Sequence, residues 1–152
     1  MRRQSYVIAS LQGHLPFQEP CLTKQVVAAL ILRGDKILCC QRTEHQALPL
    51  KWEFPGGKIE PGETASQALR RELEEELGIV AEIGREITQV LHTYLNGNAV
   101  NLHFYTVQSY RNELQNRIFR EVRWVNRAHL PLLDFLDADK ELVRSLAAGE
   151  LL

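Results

Sequence analysis

Apolar positions fall in two rhythms along the chain, and the change from one to the other predicts its elements. Lys24 to Arg33 (KQVVAALILR) is a nearly continuous apolar run, and Lys36 to Arg42 (KILCCQR) follows it across Arg33-Gly34-Asp35. Gly34 can take the positive φ of a tight turn, so the two runs predict a hairpin. Residues 43 to 62 read as a loop, broken by Pro49, Pro55, Gly56, Gly57, Pro61 and Gly62. Thr64 and Gln67 then fit a capping box, Ala65 to Leu77 are good helix formers, and Gly78 stands where a C′ glycine belongs. Glu86 to Tyr94 and Ala99 to Gln108 flank Asn96-Gly97-Asn98 and predict a second hairpin, and Arg120 to Val125 alternates as a further strand. In the tail from Asp137 to Leu151, Leu142, Val143 and Leu146 have helical spacing, with Asp137 or Asp139 able to cap. Residues 1–23 carry no clean period and read as an arm or an irregular first strand, and residues 24–152 read as one domain. Strand pair, helix, strand pair, strand and helix in that order predict an α+β domain with helices packed on a mixed sheet.

The helix 65–77 carries charges where a solvated face would not put them. With about 100° per residue and Leu69 at zero, Leu73 falls at roughly +40°, Ala65 at roughly −40° and Leu77 at roughly +80°. These residues mark the inward stripe. Glu76 then lies at roughly −20° and Glu72 at roughly −60°, on the stripe or at its edge, while Glu75 flanks Glu72 at roughly −120° and Glu74 faces water. Burying unpaired like charges costs several kcal/mol, so something must neutralise them. Arg71 can balance part of the cluster, but one arginine cannot balance three glutamates. A divalent cation held by oxygens is the better single explanation, Mg²⁺ with Mn²⁺ as a substitute. Upstream, Gly56 and Gly57 let the backbone approach a ligand closely and offer carbonyls to the same metal.

Composition narrows the class without naming a function. The chain has 152 residues, 45% hydrophobic and 24% charged, with a formal net charge of −1. It is therefore ordinary globular protein with no broad basic field, and direct nucleic acid binding is not expected. Its apolar runs, such as Val26 to Leu32, are far too short for a membrane span, and Met1-Arg2-Arg3-Gln4-Ser5 opens a poor signal peptide. Three cysteines, two of them adjacent at Cys39 and Cys40, form no disulfide or zinc pattern, which makes the cytoplasm the default compartment.

Gly57, five residues, Glu63, seven residues and Arg71-Glu72-Leu73-x-Glu75-Glu76-x-Gly78-Ile79 together match the Nudix box at every specified position. The chain thus resembles the Nudix hydrolases from about Lys24 to Leu146, and KWEFPGGKIEPGET resembles their MutT-like branch in particular. That resemblance implies an α/β/α sandwich that hydrolyses a nucleoside triphosphate to the monophosphate and pyrophosphate. Glu72, Glu75 and Glu76, with the Gly57 carbonyl, would hold the metal, Glu63 would support the site and Arg71 would orient the glutamates. Arg42, eleven residues before Glu53, matches an arginine that contacts phosphate, with Lys58 a second candidate. Asp139, fifteen residues after Trp124, matches the residue that reads the base. Phe54 is a candidate for stacking on the base, as are Tyr94, Phe104 and Tyr105. Many relatives carry a glutamate where this chain has Ile118, with Glu113 or Glu121 as candidate substitutes, so the general base is not assigned. The hydrogen-bonding capacity of Asp139 suits an oxidised guanine such as 8-oxo-dGTP, and it also suits the amino group of cytosine. The alternatives are a pyrophosphohydrolase acting on CTP, dCTP or modified pyrimidines, and a nucleotide-binding module without turnover. A small nucleotide is the expected partner, and the chain is expected as a monomer or homodimer.

Overall fold

The structure, a computed structural model, describes residues 23–152. The expectation for residues 1–23 falls almost wholly outside them. Eight strands and two helices follow one another as β1 (Lys24–Leu30), β2 (Leu32–Arg33), β3 (Lys36–Gln41), β4 (Trp52–Glu53), β5 (Gly56–Lys58), α1 (Ala65–Leu77), β6 (Val80–Thr93), β7 (Ala99–Arg111), β8 (Glu121–Asn126) and α2 (Lys140–Ala147). Short 3₁₀ turns at Arg127–Leu132 and Asp137–Asp139 precede α2. No helix among the described residues is long and apolar enough to cross a membrane.

The strands form two sheets. In the first the order is β5-β1-β7-β6, with β1 and β7 parallel and the other pairs antiparallel. In the second, β3 pairs with β8 along one edge and with β2 and β4 along the other. The first predicted hairpin is thus smaller than its apolar run. Gly34 turns at φ +58°, but only Leu32 and Arg33 pair back onto β3. The rest of the run, β1, belongs to the other sheet. The chain changes sheets at Ile31, whose carbonyl still accepts from the Leu38 amide at 3.0 Å. The predicted loop 43–62 likewise holds two short strands, β4 and β5.

Both faces of β1 are buried, which explains its unbroken apolar composition. Val27, Ala29 and Ile31 pack with Leu38, Cys40 and the α1 residues Ala68, Leu69, Leu73 and Leu77. Ala28 and Leu30 pack on the opposite side with Ile37, Cys39, Phe104 and the α2 residues Leu142, Val143 and Leu146. Helices therefore cover both faces and the domain is a three-layer α/β/α sandwich, as expected. Cys39 and Cys40, adjacent on β3, point into different cores, and burial pushes the Cys39 thiol up to about 12.

Helix α1 starts and stops where its sequence says. The Thr64 hydroxyl accepts from the Gln67 amide at 3.2 Å, and the Gln67 side chain accepts from the Thr64 amide at 2.9 Å. Gly78 takes φ +69° and its N–H donates to the Glu74 carbonyl. Thr64→Ala should cost about 1 kcal/mol of stability in a denaturant titration, because it leaves a helix donor without its partner.

Candidate active site

Two backbone constraints bring the acidic helix onto the glycines. Gly57 faces Val27 across the β5–β1 ladder, and α1 packs on the same side of β1. A Cβ on Gly57 would run into the Glu72 carboxylate, and one on Gly56 would run into the Val27 carbonyl oxygen. The Gly56 N–H, freed to point across the gap, donates to Glu76 Oε2 at 3.2 Å. The glycine pair is thus a cradle for two carboxylates, and no other residue leaves that space.

The helical wheel is realised in the burial. Glu76 is 8% exposed and the Glu72 side chain 16%, whereas the Glu75 side chain is 59% exposed. Burial pushes the Glu76 carboxyl up to about 9, with the nearby charges of Glu72 and Glu53 adding to the shift. Burial raises Glu72 as well, opposed by Arg71. Arg71 lies where the sequence puts it. Its Nε and Nη2 grip both oxygens of Glu63 at 2.8 Å, and its Nη1 reaches Glu72 at 3.0 Å and Glu75 at 3.5 Å. Glu63 is held below the ordinary carboxylate range by Arg71 and by the Glu60 N–H. Glu63 thus holds Arg71, whose Nη1 in turn reaches Glu72. Lys58 is exposed beside Gly57, and its carbonyl accepts from Arg71.

The residue that sequence reasoning used only as a spacing mark is central. Glu53, on β4 between the buried Trp52 and Phe54, receives Arg42 Nη1 at 3.0 Å. Burial raises its pKa and Arg42 opposes the rise. Its charge is felt by both Glu76 and Asp139. The alternation apolar–acid–apolar in Trp52-Glu53-Phe54 was the available signal. Arg42 is also held by the Ala47 carbonyl at 2.8 Å through Nε, which leaves Nη2 among its donors for a ligand.

Asp139 reaches this group through the backbone. The Trp52 N–H donates to Asp134 and the Leu136 N–H to Trp52, so residues 134–136 run alongside β4 and the following 3₁₀ turn carries Asp139 inward. It stands at the start of α2 but makes no side-chain capping bond, and Asp137 pairs instead with Lys140 at 2.7 Å. The capping expectation therefore fails for both aspartates. Asp139 is 4% exposed, and burial together with the charge of Glu53 pushes it up to about 8. A cavity of about 90 Å³ opens beside Ala138, walled by Leu48, His92, Tyr94 and Leu136.

Phe54 is corrected. Its ring packs against Phe135 at 5.2 Å and edge-on to Phe104 at 6.2 Å, buried in the core rather than offered to a base. Phe104 is buried with it. Ile118 is 45% exposed, Glu113 is exposed and Glu121 is paired with Arg123 at 2.7 Å.

The donor set fits a divalent cation of the hard, oxygen-seeking kind. Two inward carboxylates converge on a glycine cradle with no cation of their own beyond Arg71, and among the described residues no three acidic, histidine or cysteine side chains form a ready-made cage. Partial coordination completed by water and substrate phosphate is the Mg²⁺ habit.

Residues 22–146 match the NUDIX domain, and the chain belongs to that family. It is 36% identical over 124 residues to a CTP pyrophosphohydrolase of Escherichia coli, covering 82% of this chain and 91% of that one. It is 38% identical over 122 residues to an 8-oxo-dGTP diphosphatase of Haemophilus influenzae, covering 79% and 89%. The crystal structure of a MutT NUDIX hydrolase from Burkholderia pseudomallei superposes with a TM-score of 0.73 at 25% identity, covering 81% and 97%. The chain is accordingly a hydrolase of the MutT-like kind, in a family that acts on small nucleotides and generally depends on a divalent metal.

Glu76 binds its proton more tightly folded than unfolded. Its contribution to stability is complete below the ordinary value of 4.5 and is lost as pH rises toward about 9. Glu76→Gln should therefore raise the metal-free melting temperature by several degrees at pH 8 and by little at pH 4. Equal shifts at the two pH values in thermal unfolding would contradict the assignment.

Proposed function

We propose that this chain hydrolyses nucleoside triphosphates to the monophosphate and pyrophosphate with Mg²⁺, or Mn²⁺ in its place, and that 8-oxo-dGTP is among its substrates. The observation that carries the reading is the set of inward acids: Glu76 bonded to the Gly56 N–H of the cradle, half-buried Glu53 held by Arg42, and buried Asp139 at the start of α2. Glu72 and Glu76, with Glu75 and the Gly57 carbonyl, are the metal ligands in this reading. When bound, the metal neutralises the acidic helix against the substrate phosphates and lowers the pKa of water. Arg71 holds Glu72 in place. Arg42 and Lys58 meet phosphate charge, Arg42 with the donors that Glu53 and Ala47 leave free. Glu53 is the strongest candidate to accept the proton from the attacking water. Its raised pKa suits that task, and it stands within the electrostatic reach of Glu76.

Asp139 reads the base. A carboxyl that is still protonated near neutral pH both donates and accepts, which complements a base edge presenting one N–H and one carbonyl or ring nitrogen. The 8-oxoguanine edge is of this kind, and so is the amino and N3 edge of cytosine. The similarity to a CTP pyrophosphohydrolase keeps the cytidine reading as the alternative. The cavity beside Ala138, lined by Leu48, His92 and Tyr94 together with Lys51 and Asp137, offers an aromatic wall where Phe54 does not.

Two measurements check this. A panel of ordinary and oxidised nucleotides with Mg²⁺ should release pyrophosphate rather than phosphate, with 8-oxo-dGTP among those turned over. Turnover of cytidine nucleotides alone would favour the alternative, and binding without product anywhere would favour a non-catalytic module. Asp139→Ala should lower kcat/KM for the preferred nucleotide about tenfold to a hundredfold while narrowing its preference over other bases, and Glu76→Gln should reduce turnover of all of them by orders of magnitude.

A further inference from the structure

The C-terminal turn of α1 is not finished by its own sequence. Gly78 supplies one donor, to the Glu74 carbonyl, and the helix has no basic residue in its last turn, although Glu72, Glu74, Glu75 and Glu76 crowd that negative end of the dipole. The missing groups come from residues 112–119, between β7 and β8. The Arg117 N–H donates to the Glu76 carbonyl at 3.1 Å, the Gln115 N–H to Leu77 at 2.9 Å and the Asn112 amide to Gly78 at 3.5 Å. The Arg117 guanidinium donates through Nη1 to the Glu74 carbonyl at 3.1 Å. A Cβ on Gly78 would press on that guanidinium at 2.9 Å, so the glycine both allows the left-handed turn and leaves room for the arginine.

This strap has its own anchors. Phe119 is buried in the core beneath α1, and the Asn116 side chain bonds both the Phe119 N–H and carbonyl at 2.8 Å. The Arg120 N–H donates to the Gln41 carbonyl at 3.0 Å, next to Arg42. Two residues thus separate the bond to Glu76 from the bond to Gln41, the end of β3, which Arg42 follows.

We propose that Arg117 is a positioning residue that sets the carboxylate of Glu76 against the Gly56 and Gly57 backbone by fixing the last turn of α1. It touches neither metal nor nucleotide and acts through the helix carbonyls and the strap. The proposal rests on the reading of Glu72 and Glu76 as metal ligands, and binding of Mn²⁺ alone to the wild-type chain tests that reading separately.

The experiment measures Mn²⁺ binding to the nucleotide-free protein by water-proton relaxation, together with kcat, KM at saturating metal and amide hydrogen exchange. Arg117→Ala should weaken Mn²⁺ binding about tenfold and lower kcat by a similar factor, leave KM within about twofold and speed exchange at residues 77–80. Arg117→Lys retains a cation at the helix end and should recover part of the Mn²⁺ affinity. It carries the comparison if Arg117→Ala does not fold. If wild type binds Mn²⁺ and the folded variants bind it equally well, the proposal is overturned, whatever their melting temperatures. If wild type binds no Mn²⁺, the underlying ligand reading fails first and the proposal with it.

Discussion

The burial of acids in a low-dielectric interior is the constraint on which this molecule is organised. Glu76, Glu53 and Asp139 are all buried or half-buried, and desolvation shifts each upward; a neighbouring acid adds to the shift at Glu76 and Asp139, while Arg42 opposes it at Glu53. A stability-driven core would hold leucines there, since replacing buried charges by apolar groups is often neutral or stabilising. The surrounding arginines meet this load unequally. Arg71 serves Glu63, Glu72 and Glu75, and Arg42 serves Glu53, while among the described residues Asp139 has no arginine ion pair. Burial holds Glu76, beside the cradle, and Asp139, at the start of α2, protonated near neutral pH.

The sheet arrangement makes this economical in residues. Successive positions on β1 face opposite layers, so Val27 sits under α1 and Ala28 under α2, while Gly57 and Gly56 pair with these same two residues. Strand β5 thus meets the face under α1 and the face under α2 within one step along the chain. Strand β4 does the same for Glu53, placed between two buried aromatics that lock its backbone.

How much of this could be read in the sequence depended on how local the cause was. Helix α1 was legible in full because Thr64, Gln67 and Gly78 form caps within a few residues, and the inward placement of Glu72 and Glu76 follows from helical periodicity alone. The sheet switch at Ile31 was not legible, since an unbroken apolar run is the same for one long strand and for two strands in different sheets. Strands β4 and β5 are two and three residues long, too short to show alternation, and exist because β3 and β1 offer them open edges. Asp139 sits at a helix start, which suggests a cap, and only the pairing of residues 134–136 with Trp52 turns it inward. The aromatic count could not separate Phe54, which completes a core, from Tyr94, which borders a cavity. The tie from Arg117 to α1 joins residues more than forty positions apart, with no pattern in between to announce it.

The adjacent thiols of β3 have a consequence for the conditions in which such a chain can work. Neighbours on an extended strand project to opposite sides, so Cys39 and Cys40 cannot close a disulfide with each other, and burial keeps both in the protonated state that reacts slowly with peroxide. These two sulfurs therefore give an oxidant little to attack, and the β3 strand can lie at the heart of both cores without a redox-sensitive bond.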